Sequence, residues 1–171
     1  LPLNWKNKMV IHLSGSKNNR ELISISEKGG QTASMHPLQT FTRGDTADRF
    51  DGIWVSLQGD SALFPTLKEL VAPFGAKTKV LDKDQKAALH LSAVFSSNYL
   101  VALMKIVEEI AEDHDIENAL ELLKPLIHQT VENILEKGPD KSLSGPVMRG
   151  DISTIEQHLK ILDGKTDHKT L

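Results

Sequence analysis

The chain has 171 residues, long enough for one medium domain or two small ones, with the apolar and charged content of an ordinary globular protein. A net charge of -3 without a basic run argues against a general nucleic-acid binder. There is no cysteine, which excludes disulfides, thiolate metal sites and cysteine nucleophiles together and fits a reducing compartment.

Up to about Leu81, short apolar runs alternate with helical patterns. Met9 to Leu13 reads as a buried parallel strand ending in the polar loop Ser14-Gly15-Ser16. Asn18 to Lys28 predicts a short helix closed by Gly29-Gly30. Thr32 to Met35 predicts a strand stopped by His36-Pro37, and Ile53 to Leu57 another, ending at Gly59-Asp60. A helix from Ser61 to Phe74 follows, with Pro65 in its first turn and Gly75 at its end, and Lys77 to Leu81 reads as the last strand. The alternation is that of an open sheet flanked by helices.

From Asp82 onward the strands stop. A long helix is expected over about Asp84 to Asp113 and a second over about Ile116 to Lys137, bent at Pro125. A loop over 138–150 leads to a final helix from Ile152 to Leu162, with Ser153 and Glu156 at capping-box spacing. Gly164 to Leu171 reads as a frayed tail. The fold class expected is therefore α/β followed by all-α. No formal charge falls between Lys86 and Lys105, but His90, Ser92, Ser96, Ser97 and Asn98 make that stretch too polar for lipid. It reads as a core helix, and no membrane partner or secretory signal is expected.

That helix carries the most suggestive chemistry. At about 100° per residue, Lys86, His90 and Ser97 share a narrow arc with Ala93 between them. Burying such groups costs free energy unless partners or a ligand satisfy them, so the stripe is either an internal network or the wall of a cleft. His90 has the ionisation range of a proton donor or acceptor near neutrality, or is a core histidine bonded to a carbonyl. Asn98 and Ser97 either orient a substrate or bond a neighbouring loop. Ser14 and Gly15 follow a strand whose carboxyl end is where ligands gather in open α/β sheets. His36 and Gln39 stand at a similar strand end and face the same crevice or form a simple turn. Thr130 and Asn133 interrupt an apolar helical arc, and Arg149 could clamp an anion, with Asp151 as a helix cap in the plainer reading. No metal site is expected: the seven histidines are dispersed, none three to five residues from another. Neither a G-x-G-x-x-G nor a Walker-type loop occurs.

Four segments in order carry a resemblance: His12-Leu-Ser-Gly15, His36-Pro-Leu-Gln-Thr-Phe41, the His90 to Leu103 block with Ala-Val-Phe-x-Ser-Asn-Tyr-Leu, and Leu143-Ser-Gly-Pro-Val-Met-Arg-Gly-Asp151. With them the chain resembles a family of bacterial Rossmann-like proteins that carry a carboxy-terminal helical domain of unknown function. These are similar to pyrroline-carboxylate reductase, ketopantoate reductase, 6-phosphogluconate dehydrogenase and the deazaflavin-dependent NADP reductases. The resemblance implies that residues 1–82 are the remainder of a nucleotide-binding domain. Residues 83–171 would be a helical domain, like that of 6-phosphogluconate dehydrogenase, which forms the cleft and dimerises. It also implies an upstream G-x-G-x-x-G unit, on the order of 80 to 100 residues, before the mid-pattern Leu1. The implied cofactor is NADP or NAD and the implied protein a cytoplasmic homodimer acting on a small molecule. In the hydroxyacid dehydrogenase relatives a catalytic lysine is followed one turn later by asparagine, whereas here Lys86 is followed by His90 and Asn98 comes two turns beyond. The expected function is an NAD(P)-dependent oxidoreductase acting on a carbonyl, imine or hydroxy acid. Its catalytic set would be His90, Asn98, Ser97 and Lys86, with Ser14 and Gly15 on the cofactor and His36, Gln39, Thr130, Asn133 and Arg149 on the substrate. The alternative is a non-catalytic nucleotide-sensing or dimerisation module of the same fold.

Overall fold

In the computed structural model, which describes residues 3–165, the first apolar run forms strand β1, Met9–His12. β2 (Gln31–Pro37), β3 (Trp54–Gly59) and β4 (Lys77–Val80) complete a four-stranded sheet in the order β1-β2-β3-β4. β1 with β2 and β3 with β4 are parallel, while β2 and β3 are antiparallel. The antiparallel step departs from simple αβ alternation. Between β2 and β3 the chain forms only the short 3-10 turn Ala47–Phe50, too little for a crossover helix, so the strand returns in the opposite direction. β4, with lysines at two of its four positions, is an edge strand protected by charge.

The two-residue period of the strands sorts the sheet into unlike faces. Ala33, Val55 and Leu57 turn to one side, where Leu63, Leu67 and Val71 close over them at four-residue spacing from helix α2 (Phe64–Val71) and the turn before it. This is the principal core, and each leucine in it contributes about 2 kcal/mol by leaving water. The opposite face carries Thr32, Ser34 and His36 on β2 and Ser56 and Gln58 on β3. Thr32, Ser34 and Ser56 are nonetheless buried, and Asn19 and Gln58 bond across this face at 2.8 and 2.9 Å.

Several elements differ from expectation for local reasons. The helix expected over Asn18 to Lys28 is a 3-10 turn, Asn19–Leu22, followed by the single-turn α1, Ile23–Ser26. β-Branched isoleucines and serines that bond their own backbone sustain no longer helix, as the Ser26 hydroxyl does by donating to Ile23 O. His36-Pro37 does not stop β2. Pairing with β1 ends at Ser34, so the proline nitrogen faces an open side, while Leu38 N donates to Trp54 O. α2 has Pro65 in its first turn, and the chain behind it ends at Gly75 in the left-handed region.

Helix α3 (Lys83–Glu112) runs for 30 residues. Its start is a reciprocal cap: Asp82 Oδ1 accepts from Asp84 N and Gln85 N, and Gln85 Oε1 accepts from Asp82 N. The expected domain boundary at 82/83 coincides with this cap. By compactness the chain divides between Tyr99 and Leu100, inside the continuous helix, and the first unit includes the amino-terminal half of α3. The helix is long and apolar enough to cross a membrane. It is not a sealed core helix in this chain: Lys86 and Ala111 are its only buried residues, and Leu91, Phe95, Val101 and Leu103 are largely exposed.

The second unit continues with α4 (Ala119–Lys137), which starts after the left-handed Asn118 and runs unbroken through Pro125. The loop expected over 138–150 contains two single-turn helices, α5 (Pro139–Ser142) and α6 (Pro146–Arg149), each begun by a proline whose fixed φ suits a first helical position. α7 spans Ile152–Lys165 and is capped by Asp151 rather than by a Ser153–Glu156 box. Asp151 accepts from Thr154 N, Thr154 Oγ1 and Ser153 Oγ, bonds that hold its carboxyl below the usual carboxylate range. Of the tail expected from Gly164 onward, everything beyond Lys165 lies outside the described residues.

Candidate functional site

At the carboxyl end of β1 the chain turns sharply, and His12 sets the turn. Its Nδ1 accepts from Ser14 N at 3.2 Å, which leaves Nε2 to donate to Asn18 O at 3.0 Å. The loop is then gripped from α3: Lys86 Nζ donates to Ser14 O at 2.7 Å and to Gly15 O at 2.6 Å. Lys86 is only 3% exposed, and burial pulls its amine below the usual lysine range. Charge-assisted bonds of this kind contribute about 1.5–3 kcal/mol each when buried, against the cost of burying the charge.

Gly15, itself buried, sits between two imidazoles. A Cβ there would lie 2.5 Å from His90 Nδ1 and 2.7 Å from both Cε1 and Nε2 of His36. Its φ is not in the left-handed region, so glycine is required here for room. His36 reaches this point from the polar face of β2, beyond the last β1 pair, and His90 comes one turn after Lys86. Their rings meet edge to face with centroids 5.8 Å apart. Burial first, then the Lys86 charge and then His90, hold His36 below the ordinary histidine range. His90 Nδ1 is sealed from solvent and has no hydrogen-bond partner.

The two histidines border a cleft of about 330 Å³ walled by His36 to Thr40 on one side and by His90, Ala93, Val94 and Ser96 to Asn98 on the other. The space suits a small metabolite or one ring, not a dinucleotide. No carboxylate lies in its wall. Ser97 Oγ donates to Ala93 O at 2.8 Å and lies 2.9 Å from Asn98 Oδ1, so it faces the cleft chiefly as an acceptor. The Asn98 amide nitrogen and the Gln39 amide nitrogen keep their donors, Gln39 Oε1 being held by Thr40 N. A second hollow of about 420 Å³, bordered by Leu13, Phe41 and Phe50, shares His36, Pro37 and Gln39 with the cleft.

The structure thus brings together His36, Gln39, His90, Ser97 and Asn98 as cleft wall, with Ser14, Gly15 and Lys86 directly behind them. Thr130, Asn133 and Arg149 belong to the second unit. Thr130 Oγ1 donates to Leu126 O, Asn133 Oδ1 accepts from Lys137 Nζ, and Arg149 is exposed on α6. Thr40 and Ser96 are wall residues that sequence reasoning passed over; a single polar residue beside a better candidate gives no signal of its own. The polar sheet face was also missed, although the alternation Thr32, Ser34, His36 and then Ser56, Gln58 records it.

Residues 53–171, more than half of the chain, match the family described as "Domain of unknown function (DUF2520)", and the chain belongs to that family. It is similar to the solved structure of protein TM1727 from Thermotoga maritima at 30% identity and a TM-score of 0.70, covering 88% of this chain and 58% of that one. A second similar structure is BF3122 from Bacteroides fragilis, provisionally described as an NADP oxidoreductase, at 24% identity and a TM-score of 0.77, with 90% and 57% covered. An imine reductase from Myxococcus stipitatus in complex with NADP+ follows at 17% identity and a TM-score of 0.53, with 82% and 51% covered. At these identities the latter two establish the fold alone: the sheet and the helical region are those of Rossmann-like proteins with a 6-phosphogluconate-dehydrogenase-like carboxy-terminal domain. The chain spans a little under three fifths of the length of the first two relatives. The comparison with curated proteins gave no match.

Proposed function

We propose that this DUF2520 chain is part of an NAD(P)-dependent oxidoreductase that acts on a carbonyl, imine or hydroxyl of a small polar metabolite. The observation that carries the reading is His90, on the wall of a cleft at the carboxyl ends of β1 and β2, where open α/β sheets bind their ligands. Similar structures described as an NADP oxidoreductase and as an NADP+-bound imine reductase support it, as does the resemblance to pyrroline-carboxylate and ketopantoate reductases.

The described residues fit only the ring end of a dinucleotide. They form no phosphate-cradling loop; Ser14 and Gly15 stand behind the cleft wall, where the missing side chain of Gly15 makes room for the His36 and His90 rings. When bound, a nicotinamide supplies or takes the hydride; the chain's own residues manage the rest. His90, on the cleft wall, gives a proton to the substrate oxygen or nitrogen, or takes one in the reverse direction. The Asn98 amide donates to the substrate and the Ser97 oxygen accepts from it. Lys86 acts at one remove: its ammonium is engaged by the Ser14 and Gly15 carbonyls, so it is a positioning residue for the loop.

The same reading includes a homodimer in the cytoplasm. The open apolar residues of α3 and α4, among them Phe95, Val101, Leu122 and Leu126, support a second copy as their cover. Polar groups along α3 and the lack of cysteine support the compartment.

The test uses the natural protein at its full length. NADPH and NADH binding is measured by fluorescence, and turnover is compared between wild type and His90→Ala on a panel of keto acids and imines. The expected result is binding of one nucleotide and a loss of about 100-fold or more in kcat on some substrate. No nucleotide binding would overturn the reading. Binding without turnover, unaffected by His90→Ala, would favour the non-catalytic nucleotide-sensing or dimerisation module.

A further inference from the structure

An ionised side chain taken out of water costs free energy unless an opposite charge faces it. Lys86 is buried, and its ammonium bonds only to neutral groups, the carbonyls of Ser14 and Gly15. The ion pairs among the described residues lie elsewhere, on Lys17, Arg49, Lys83, Lys105 and Lys124. Acidic groups near Lys86 in sequence are otherwise engaged: Asp82 caps α3, and Asp84 stands 4.0 Å from Lys83 Nζ. The cleft continues the imbalance. Gly15, whose carbonyl holds the ammonium, packs against the His36 and His90 rings that border the cleft, so the positive charge stands one residue behind the wall. The wall itself contains two imidazoles and no carboxylate. Its amides are set to donate: Gln39 Oε1 is taken by Thr40 N and Asn98 Oδ1 lies 2.9 Å from Ser97 Oγ, which leaves both amide nitrogens for a ligand.

We propose that this cleft recognises the carboxylate of a small oxo, imino or hydroxy acid, with the Gln39 and Asn98 amides donating to its oxygens and Lys86 supplying the opposite charge from behind the Ser14-Gly15 loop. The proposal rests on the functional reading above and narrows its substrate from any small polar metabolite to an anion. The balance of charge decides the sign of the ligand. A cation meets the Lys86 charge with no carboxylate in the wall to offset it, whereas a carboxylate brings the one group the site lacks. Its two oxygens each accept hydrogen bonds, which suits a wall whose amides offer N–H groups. The cleft of about 330 Å³ admits the carboxylate and the reacting carbon together. An uncharged carbonyl or imine fits the same space but leaves the ammonium without a counter-charge, so charge rather than shape discriminates.

The test uses the natural protein at its full length, without nucleotide. Pyruvate, 2-oxoisovalerate and phenylpyruvate are each set against the corresponding uncharged amide, and binding is read from the imidazole C–H signals of His36 and His90 in NMR titrations. The expected result is that at least one acid displaces both sets of signals and binds about tenfold or more tighter than its amide. Asn98→Asp, which puts a carboxylate on the wall in a side chain of the same shape, should weaken the acid far more than the amide. Lys86→Met should bring acid and amide to within about twofold of each other. Acid and amide bound alike, no acid bound at all, or an acid indifferent to Asn98→Asp overturns the proposal. Should Lys86→Met fail to fold, the wild-type comparison of acid with amide decides alone. Acids bound without hydride exchange with NADPH or NADH leave the anion site standing and remove the functional reading, and turnover of uncharged imines with no preference for acids does the opposite.

Discussion

The two units of the chain differ in how much they bury. In the first, a sheet seals Ala33, Val55 and Leu57 under α2 on one face and still buries Thr32, Ser34 and Ser56 on the other, with Lys86 nearby on α3. In the second, Ala111 and Ala119 are the buried residues among those described, while Leu122, Leu126, Leu135, Val147, Met148 and Ile152 are each more than 60% exposed. The difference separates a unit with a filled interior from one whose large apolar side chains lie open. Polar groups are held rigidly where chemistry is proposed, and apolar groups are left open where association is proposed. Rigid support around the histidines is what a positioned proton donor requires.

The sharpest way to break this contrast is to remove packing from each unit in turn. Leu57→Ala, at a fully buried position under α2, should cost about 3 kcal/mol in chemical denaturation. Leu135→Ala, at a position 80% exposed, should stay within about 0.5 kcal/mol in dilute protein. A cost of comparable size at Leu135 would mean that the second unit holds a core of its own. Leu126→Glu extends the test to association. It should leave the unfolding of dilute protein nearly unchanged while shifting light scattering at high concentration from dimer to monomer, and an unmoved dimer would place the interface elsewhere.

Glycines sharpen the comparison on a smaller scale. Gly15→Ala pushes a methyl group into His90 and His36, with an expected cost of about 1–3 kcal/mol and displaced imidazole signals in NMR spectra. Gly138→Ala, in the second unit, meets no atom within 4 Å, but its φ of +82° disfavours a side chain by about 1 kcal/mol. One substitution should disturb the site and the other only the backbone between α4 and α5.

How much of this was legible beforehand follows the same division. The strands expected over Met9 to Leu13 and Ile53 to Leu57 lie close to where the pattern put them, as β1 and β3, although β1 is an edge strand with no buried residue rather than the buried strand expected. The clustering of Lys86, His90 and Ser97 on one face of α3 was also legible from periodicity. What Lys86 does was not: its partners, Ser14 and Gly15, are more than seventy residues away, and a carbonyl acceptor has no signature in side-chain sequence. The antiparallel return between β2 and β3 and the helical turns at Pro139 and Pro146 were missed because short connections are decided by tertiary pairing and by φ rather than by hydrophobic period. The openness of α3 was hidden for a related reason, since an apolar helix reads the same whether its own chain or a partner covers it.

The smallest effect expected belongs to His36, and its sign tests whether the first unit holds its polar groups as described. His36 is kept below the ordinary histidine value, near 6.5, by burial, by Lys86 and by His90. Between its folded midpoint and 6.5 the unfolded chain binds more protons than the folded one, so the stability tied to a neutral His36 is complete above 6.5 and is lost as the pH falls through that window. The ring is partly open to solvent, which screens the effect to less than about 1 kcal/mol. Denaturation midpoints measured from pH 7.5 down to 5 should therefore decline more steeply in the wild type than in His36→Gln. Lys86→Met should flatten the decline as well, because removing the ammonium relieves part of the penalty on a charged His36. The His36 imidazole should then titrate closer to its ordinary value. An unchanged decline in both variants would mean that the charge of Lys86 does not reach His36, and that its grip on the Ser14 and Gly15 carbonyls is all that it contributes.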